Sequence, residues 1–154
     1  MRDFSPKAYR VRALRDCPVP SYLLVCETPD QAAVYWRLHI ETHPCFNPEC
    51  ECFVVLFLNT RKRVKGHQLM PIGTMDTLLV HAREDFRTTN IASASGVVLL
   101  HNHPGGGSSP SEADIKVPRD FIRAGQILKI EVVDHIVTGR PGFQALRALG
   151  YFCL

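Results

Sequence analysis

The chain has 154 residues, of which 45% are hydrophobic and 21% charged, and its formal net charge is +3. This composition is close to globular averages and predicts one domain with a buried core. The longest apolar run, Cys52 to Leu58, is too short to span a membrane, and the polar N-terminal stretch predicts no signal peptide. We therefore expect a cytoplasmic protein, and the small positive charge does not by itself indicate nucleic-acid binding.

The first half of the chain predicts an arm, a helix and a hairpin. Residues 1–20 are polar and indicate an N-terminal arm or a weak first strand, and 22–26 is strand-like. Thr28, Pro29 and Gln31 suit the cap, first and third positions of a helix that should run to about residue 42 and bury Trp36. The strongest predicted strand covers 51–59, and a turn at 60–62 leads to a return strand at about 63–70.

The second half alternates helices and strands. After a break at 73–74, an amphipathic helix is predicted over 79–94, followed by a strand at 96–102. A glycine-rich loop then precedes a helix over about 111–125, and an apolar β-run covers 128–137. No repeat or linker divides the chain. The predicted fold class is therefore α/β (α+β), a single domain over 1–154 with a mixed central β-sheet.

Two histidines at the end of the 96–102 strand form the most informative motif. His101 and His103 lie two residues apart, so in a strand both imidazoles point to the same face. Pro104 cannot donate a hydrogen bond to the sheet and should end the strand. The pair then faces a loop, where both rings can reach one small cation. Taken alone, such a pair is more often only hydrogen-bonded.

The helix that follows the glycine-rich loop adds a carboxylate to this motif. Ser111 can cap the helix and Asp114 lies in its first turn, a pattern that alone is typical of a plain helix cap. The loop lets the chain turn back, so that Asp114 can face the two imidazoles. Two histidines and one carboxylate leave a fourth tetrahedral position for water, which is typical of a catalytic rather than a structural zinc site.

Hydrolysis at such a site also needs a general base. Glu51 begins the predicted strand at 51–59. A charged residue directly beside a buried apolar run is unusual. We treat Glu51 as the candidate base. The alternative is a solvated glutamate at a strand end.

Together these residues resemble the JAMM motif of JAB/MPN metallopeptidases, which combines an upstream glutamate with H-x-H-P and S-x-x-D. More narrowly, the glycines after Pro104, the strand at 51–59 and the segment Val133 to Val137 resemble the bacterial RadC-like JAB domain over about 49–139. The resemblance implies a cytidine-deaminase-like fold, with a mixed sheet between helices.

The resemblance also implies a function and a role for each site residue. It implies a zinc-dependent metallopeptidase or isopeptidase, in which water on one catalytic Zn²⁺ attacks the amide carbonyl of a peptide or isopeptide substrate. His101, His103 and Asp114 match the zinc ligands. Glu51 matches the general base, and Ser111 matches the hydroxyl that supports the water and the tetrahedral intermediate.

Two departures from the family's pattern affect these expectations. Pro118 falls inside the helix predicted to begin at Ser111, where a proline costs on the order of 3 kcal/mol or forces a kink. We expect a bend just past Asp114 that leaves this ligand in place. The chain also has no room for the helix-hairpin-helix module that commonly precedes this domain, which weakens the expectation of DNA binding.

Other functions fit the sequence less well than hydrolysis. The family carries a DNA-repair label, and the basic turn at 61–65 could contact phosphates in a weak association with DNA, although a solvated turn is the simpler interpretation. A catalytically silent interaction module is opposed by the intact motif. A nucleobase deaminase would need H-x-E and P-C-x-x-C motifs, which the sequence lacks.

Two more groups of residues have roles that the sequence leaves open. Asp134 and His135 could orient a metal ligand, but a satisfied structural pair is favoured. The second group consists of Cys45, Cys50 and Cys52, with His43 nearby. It could hold another zinc ion, but it lacks a C-x-x-C pair, and we predict free thiols.

Overall fold

The computed structural model describes Pro18, Pro20, Ser21, 25–71 and 81–152. The predicted arm at 1–20, the break at 73–74 and the first residues of the helix predicted over 79–94 lie largely outside these residues. Of the strand predicted at 22–26, Val25 forms an isolated antiparallel bridge with Arg63.

The described residues contain one mixed β-sheet of five strands. In chain order the strands are β1 (Cys52–Leu58), β2 (Val64–Pro71), β3 (Gly96–Asn102), β4 (Glu131–Thr138) and β5 (Phe143–Ala145). Their order across the sheet is β2-β1-β3-β4-β5. β3 and β4 run parallel, and the other neighbouring strands are antiparallel. The mixed sheet that the sequence predicts is therefore confirmed.

Helices cover the sheet on both faces. They are α1 (Pro29–Tyr35), which continues as a π-helical segment (Trp36–Ile40), then α2 (Ala82–Ile91) and α3 (Glu112–Leu128). The predicted capping box of α1 is present: the Gln31 amide donates to the Thr28 hydroxyl, and the Thr28 amide donates to the Gln31 side chain. Trp36 is buried, as predicted.

The side chains of the central strands β1 and β3 alternate between the two faces of the sheet, and each face is covered by different helices. Every residue of β1 and β3 is buried, as expected for strands covered on both faces. Leu100 packs in the cluster that contains Trp36, whereas Leu99 packs with Phe121 of α3. Side chains alternate along a strand, so His101 shares the α3 face with Leu99. The alternation therefore brings the histidine motif to the helix that carries the predicted carboxylate ligand.

The boundary between α3 and β4 corrects one prediction. The β-run was expected from residue 128, but Leu128 is the last residue of α3 and β4 begins at Glu131. The Ile130 amide donates to the Gly125 carbonyl, and Lys129 adopts a left-handed conformation with φ of 57°, which closes the helix. A short apolar run cannot by itself distinguish a helix end from a strand. The short β5 was not predicted.

The architecture is the single mixed α/β domain that the sequence predicts, with the sheet between helices. Across the described ranges, no helix has both the length and the apolar character that crossing a membrane requires.

Candidate metal centre

The end of β3 carries the histidine pair. His101 is the penultimate residue of the strand and is fully buried, whereas the His103 side chain lies just past the strand end and is 22% exposed. β3 ends at Asn102, two residues before Pro104, as predicted. The Gly106 amide then donates to the His103 carbonyl at 2.9 Å and starts the glycine-rich turn.

A capping box holds the carboxylate. Ser111 is the N-cap of α3: its hydroxyl accepts from the Asp114 amide at 3.2 Å, and its own amide donates to Asp114 Oδ2 at 2.6 Å. The Asp114 side chain is buried and its orientation is set from both ends of this turn. Because the Ser111 hydroxyl accepts here, its O–H remains able to donate to another group.

Asn102 sets the position of Glu51. The buried Asn102 side chain accepts from the Cys52 amide at 2.8 Å and donates to the Cys50 carbonyl at 3.1 Å. These two bonds hold the main chain on either side of Glu51. Our sequence reasoning missed Asn102. The available signal was an amide side chain between the two histidines, at the end of an apolar strand.

Four of the predicted site residues meet at one point. One ligand atom each from Glu51, His101, His103 and Asp114 can be chosen so that all lie within 4.8 Å of one another. Asp114 Oδ1 lies 3.1 Å from His101 Nε2, and Asp114 Oδ2 lies 3.1 Å from His103 Nε2. Glu51 Oε1 is farther away, at 3.8 Å and 3.9 Å from the two imidazole nitrogens. The cluster thus consists of three close donors and one more distant carboxylate.

The hydrogen bonding of His103 shows that these donors fit a cation. Its Nδ1 lies 3.1 Å from the Gly107 carbonyl oxygen and must therefore carry a proton. In the neutral ring Nε2 is then an acceptor, yet it faces Asp114 Oδ2 at 3.1 Å and His101 Nε2 at 3.0 Å. Such contacts require a positive charge, either a further proton or a metal ion. Neighbouring ligand atoms of a tetrahedral zinc ion lie about 3.3 Å apart, close to the separations here.

The charges in the cluster are strongly coupled. Burial alone would raise the pKa of Asp114, but hydrogen bonds from His101 and His103 outweigh it and hold this pKa far below its ordinary 3.8. The hydrogen bond to Asp114 raises the pKa of His103. Burial raises the pKa of Glu51 above its ordinary 4.5, against the lowering effect of His101. Asp114 is therefore the more strongly ionised carboxyl group, and Glu51 is the weaker acid and stronger base of the two.

Asp134 and His135 do not pair through their side chains. Asp134 Oδ1 accepts from the amides of His135 and Arg147, which is a structural role. The His135 imidazole instead lies against the cluster of histidines and carboxylates, with Nε2 2.8 Å from His101 Nδ1. This contact is the one expected of a residue that orients a metal ligand.

Gly139 holds the glycine-rich loop against the sheet. A Cβ atom there would lie 2.7 Å from the Gly106 carbonyl oxygen and 2.9 Å from Ser108 N, both main-chain atoms. We expect Gly139→Ala to displace the loop and to lower the free energy of unfolding by about 1–3 kcal/mol, as measured by denaturant unfolding. Gly142→Ala is the matched control, since a Cβ there meets nothing within 4 Å. Equal stabilities of the two variants would contradict this packing argument.

The cysteine cluster and the basic turn have ordinary structural roles. The described cysteines, which are Cys26, Cys45, Cys50 and Cys52, are free thiols, as predicted. No metal-binding group built on them exists among the described residues. In the basic turn Lys62 forms an ion pair with Glu131, and Lys65 donates to the Ser93 carbonyl at 3.0 Å. Two of its cations are therefore engaged within the domain.

Known proteins match most of the chain. Residues 26–151 match the family described as the RadC-like JAB domain, a wider span than the 49–139 predicted. A UPF0758 protein of Bacillus cereus (strain G9842) is 42% identical over 101 residues, which are 66% of this chain and 45% of that protein. A UPF0758 protein of Thermosynechococcus vestitus is 39% identical over 99 residues, which are 64% of this chain and 40% of that protein.

The matched segment is thus less than half the length of these relatives, and their names state no activity. The family match nevertheless covers far more than half of the present chain, and the fold agrees with it. The chain therefore belongs to the RadC-like JAB domain family.

Proposed function

We propose that this domain is a zinc-dependent hydrolase of amide bonds, a metallopeptidase or isopeptidase, with a peptide or isopeptide as its substrate. The observation that carries the proposal is the convergence of Glu51, His101, His103 and Asp114 within 4.8 Å. Three of these side chains offer the two imidazoles and one carboxylate that suit an open zinc site. The fourth is a carboxylate at a distance where it can act on a neighbouring water.

His101, His103 and Asp114 would hold the metal ion. Zinc bound there would supply a Lewis acid that polarises the scissile carbonyl and acidifies water. The protein keeps its ligands in place through Ser111 and Gly107, whose main-chain groups contact Asp114 and His103. These two ligands are thus already oriented before a metal ion binds, which favours tight and selective binding.

Glu51 and Ser111 would carry the proton transfer and the charge stabilisation. Glu51 Oε1 accepts a proton from the attacking water and returns it to the leaving amine. Partial burial, with the side chain 13% exposed, raises the pKa of Glu51 and makes its carboxylate a stronger base toward the water. The free O–H of Ser111 donates to the oxyanion that develops on the carbonyl oxygen.

Metal analysis combined with a cleavage assay tests the proposal. We expect the wild-type chain, purified with zinc, to hold one ion per molecule. His103→Ala should bind zinc at least about 100-fold more weakly, since removal of even an outer partner costs 10–100-fold. His81→Ala is the matched control, because His81 is exposed at the start of α2 and makes no side-chain capping bond.

The same preparations are incubated with a defined mixture of linear peptides and lysine-branched isopeptides, and the products are read by mass spectrometry. We expect zinc-dependent cleavage by the wild type and by His81→Ala, and none by His103→Ala. A wild-type chain that takes up no zinc would contradict the proposal and favour a catalytically silent interaction module.

A further inference from the structure

His135 is a buried histidine that the proposed reaction does not use. Its side chain is fully buried, and the Phe53 ring packs edge-on against it with ring centroids 5.9 Å apart. One ring nitrogen, Nε2, lies 2.8 Å from His101 Nδ1. The other, Nδ1, has no hydrogen-bond partner within usual geometry among the described residues. A buried unpaired ring nitrogen is costly and calls for an explanation.

Metal binding by His101 decides where the protons in this contact lie. His101 Nε2 must be free of hydrogen to bind a metal ion, so the neutral ring carries its proton on Nδ1. His101 then donates to His135 Nε2 across the 2.8 Å contact. His135 accepts there, so its own proton lies on Nδ1. In this state Nδ1 is a buried donor that needs an acceptor.

Pro118 leaves such an acceptor open. In α3 the Asp114 carbonyl would normally accept from the amide four residues later, but that residue is Pro118, which has no N–H. The Asp114 backbone lies against the His135 ring. The Asp114 amide already donates to the Ser111 hydroxyl, so the backbone group left to face the ring is the carbonyl.

We propose that His135 is a positioning residue of the metal centre. With a metal ion bound, His135 would accept a hydrogen bond from His101 and turn its Nδ1 proton toward the main-chain carbonyl of Asp114, and so join two ligands that come from β3 and α3. The proline inside α3 is then part of the site, because it frees that carbonyl. This inference rests on the proposed function, since it assigns His101 and Asp114 as ligands.

Zinc affinity of the whole chain, measured by competition with a chromophoric chelator, tests the role of His135. His135→Leu fills the pocket with an apolar side chain but removes the nitrogen that accepts from His101. We expect this variant to bind zinc about 10–100-fold more weakly. In His135→Gln the side-chain carbonyl can accept from His101 Nδ1, so this variant should recover most of the loss. Thermal unfolding without zinc, run on all three proteins, shows whether each variant folds.

A measurement on the wild type removes any dependence on variants that fail to fold. Nitrogen-15 NMR of the zinc-loaded chain should show His135 protonated on Nδ1 and bare on Nε2. A proton on Nε2 would overturn the inference, as would zinc binding by His135→Leu equal to that of the wild type. Weak binding by His135→Leu without any peptide cleavage by the wild type would keep the inference and reject hydrolysis. A wild type that binds no zinc would reject both.

Discussion

Glu51→Gln should lower the rate of amide hydrolysis by roughly 10²–10⁴-fold while leaving the zinc content unchanged. Glutamine keeps the size of the side chain but cannot take a proton from water. The Glu51 carboxylate lies 3.8–3.9 Å from the two imidazole nitrogens, farther than the 3.1 Å of Asp114, so the metal should keep its three closest donors. Steady-state cleavage and metal analysis of the same sample provide the measurement.

The pH dependence gives a second signature of the same base. Burial raises the pKa of Glu51 above 4.5, so the ionised form that accepts a proton is lost at a higher pH than for an exposed glutamate. Wild-type kcat/KM should therefore rise with pH along an acidic limb that lies above pH 4.5. Glu51→Gln should lack this limb.

Glu49→Gln serves as the matched control, because Glu49 is an exposed carboxylate two residues away. This variant should cleave at the wild-type rate. Normal turnover by Glu51→Gln would show that the base lies elsewhere, even if zinc remains bound.

Asp85→Asn should stabilise the protein at neutral and alkaline pH. Asp85 lies in the first turn of α2 and is only 1% exposed, and neither of its carboxylate oxygens has a hydrogen-bond partner among the residues that the structure describes. Burial, with a smaller effect of Glu84, raises the pKa of Asp85 from 3.8 to about 7. The ionised carboxylate is therefore disfavoured in the folded state.

The sign of the pH effect follows from proton binding. Between pH 3.8 and about 7 the unfolded chain binds fewer protons than the folded protein, so the free energy of unfolding falls as pH rises. The full penalty, about 4 kcal/mol at most, is present above pH 7. We expect Asp85→Asn to raise the free energy of unfolding by about 2–4 kcal/mol at pH 8 and by less than about 1 kcal/mol at pH 4.

Denaturant unfolding at both pH values measures this difference. Asp120→Asn, which changes an exposed carboxylate on α3, should leave the unfolding curve unchanged at either pH. A destabilised Asp85→Asn at pH 8 would show that the Asp85 charge is compensated in the folded protein.

The composition of the site was predictable because its signals are local in the chain. His101 and His103 lie on one strand, and Ser111 and Asp114 share one helical turn, so spacing alone indicates which side chains face together. The strand order and the sheet edges are not local properties. The exact end of α3 at Leu128 depended on the left-handed Lys129 and the bond to Gly125, which a short apolar run cannot reveal.

The residues that support the site could not be assigned from spacing. Asn102 contacts Cys50 and Cys52 about fifty positions earlier, because β1 and β3 are antiparallel neighbours. His135 reaches His101 because β4 lies parallel beside β3. Each contact joins segments that are distant in sequence, and only strand pairing brings them to hydrogen-bonding distance.

The amino-acid sequence by itself determined the α/β class, the family resemblance and the histidine and carboxylate donors, since these follow from periodicity, caps and motif spacing within short segments. The tertiary structure alone decided that Glu51 lies beside those donors, that His135 touches His101, and that Asp85 is buried without a hydrogen-bond partner among the described residues. These facts depend on packing between remote elements, and the free energy that selects such packing is summed over the whole core rather than encoded in any one segment.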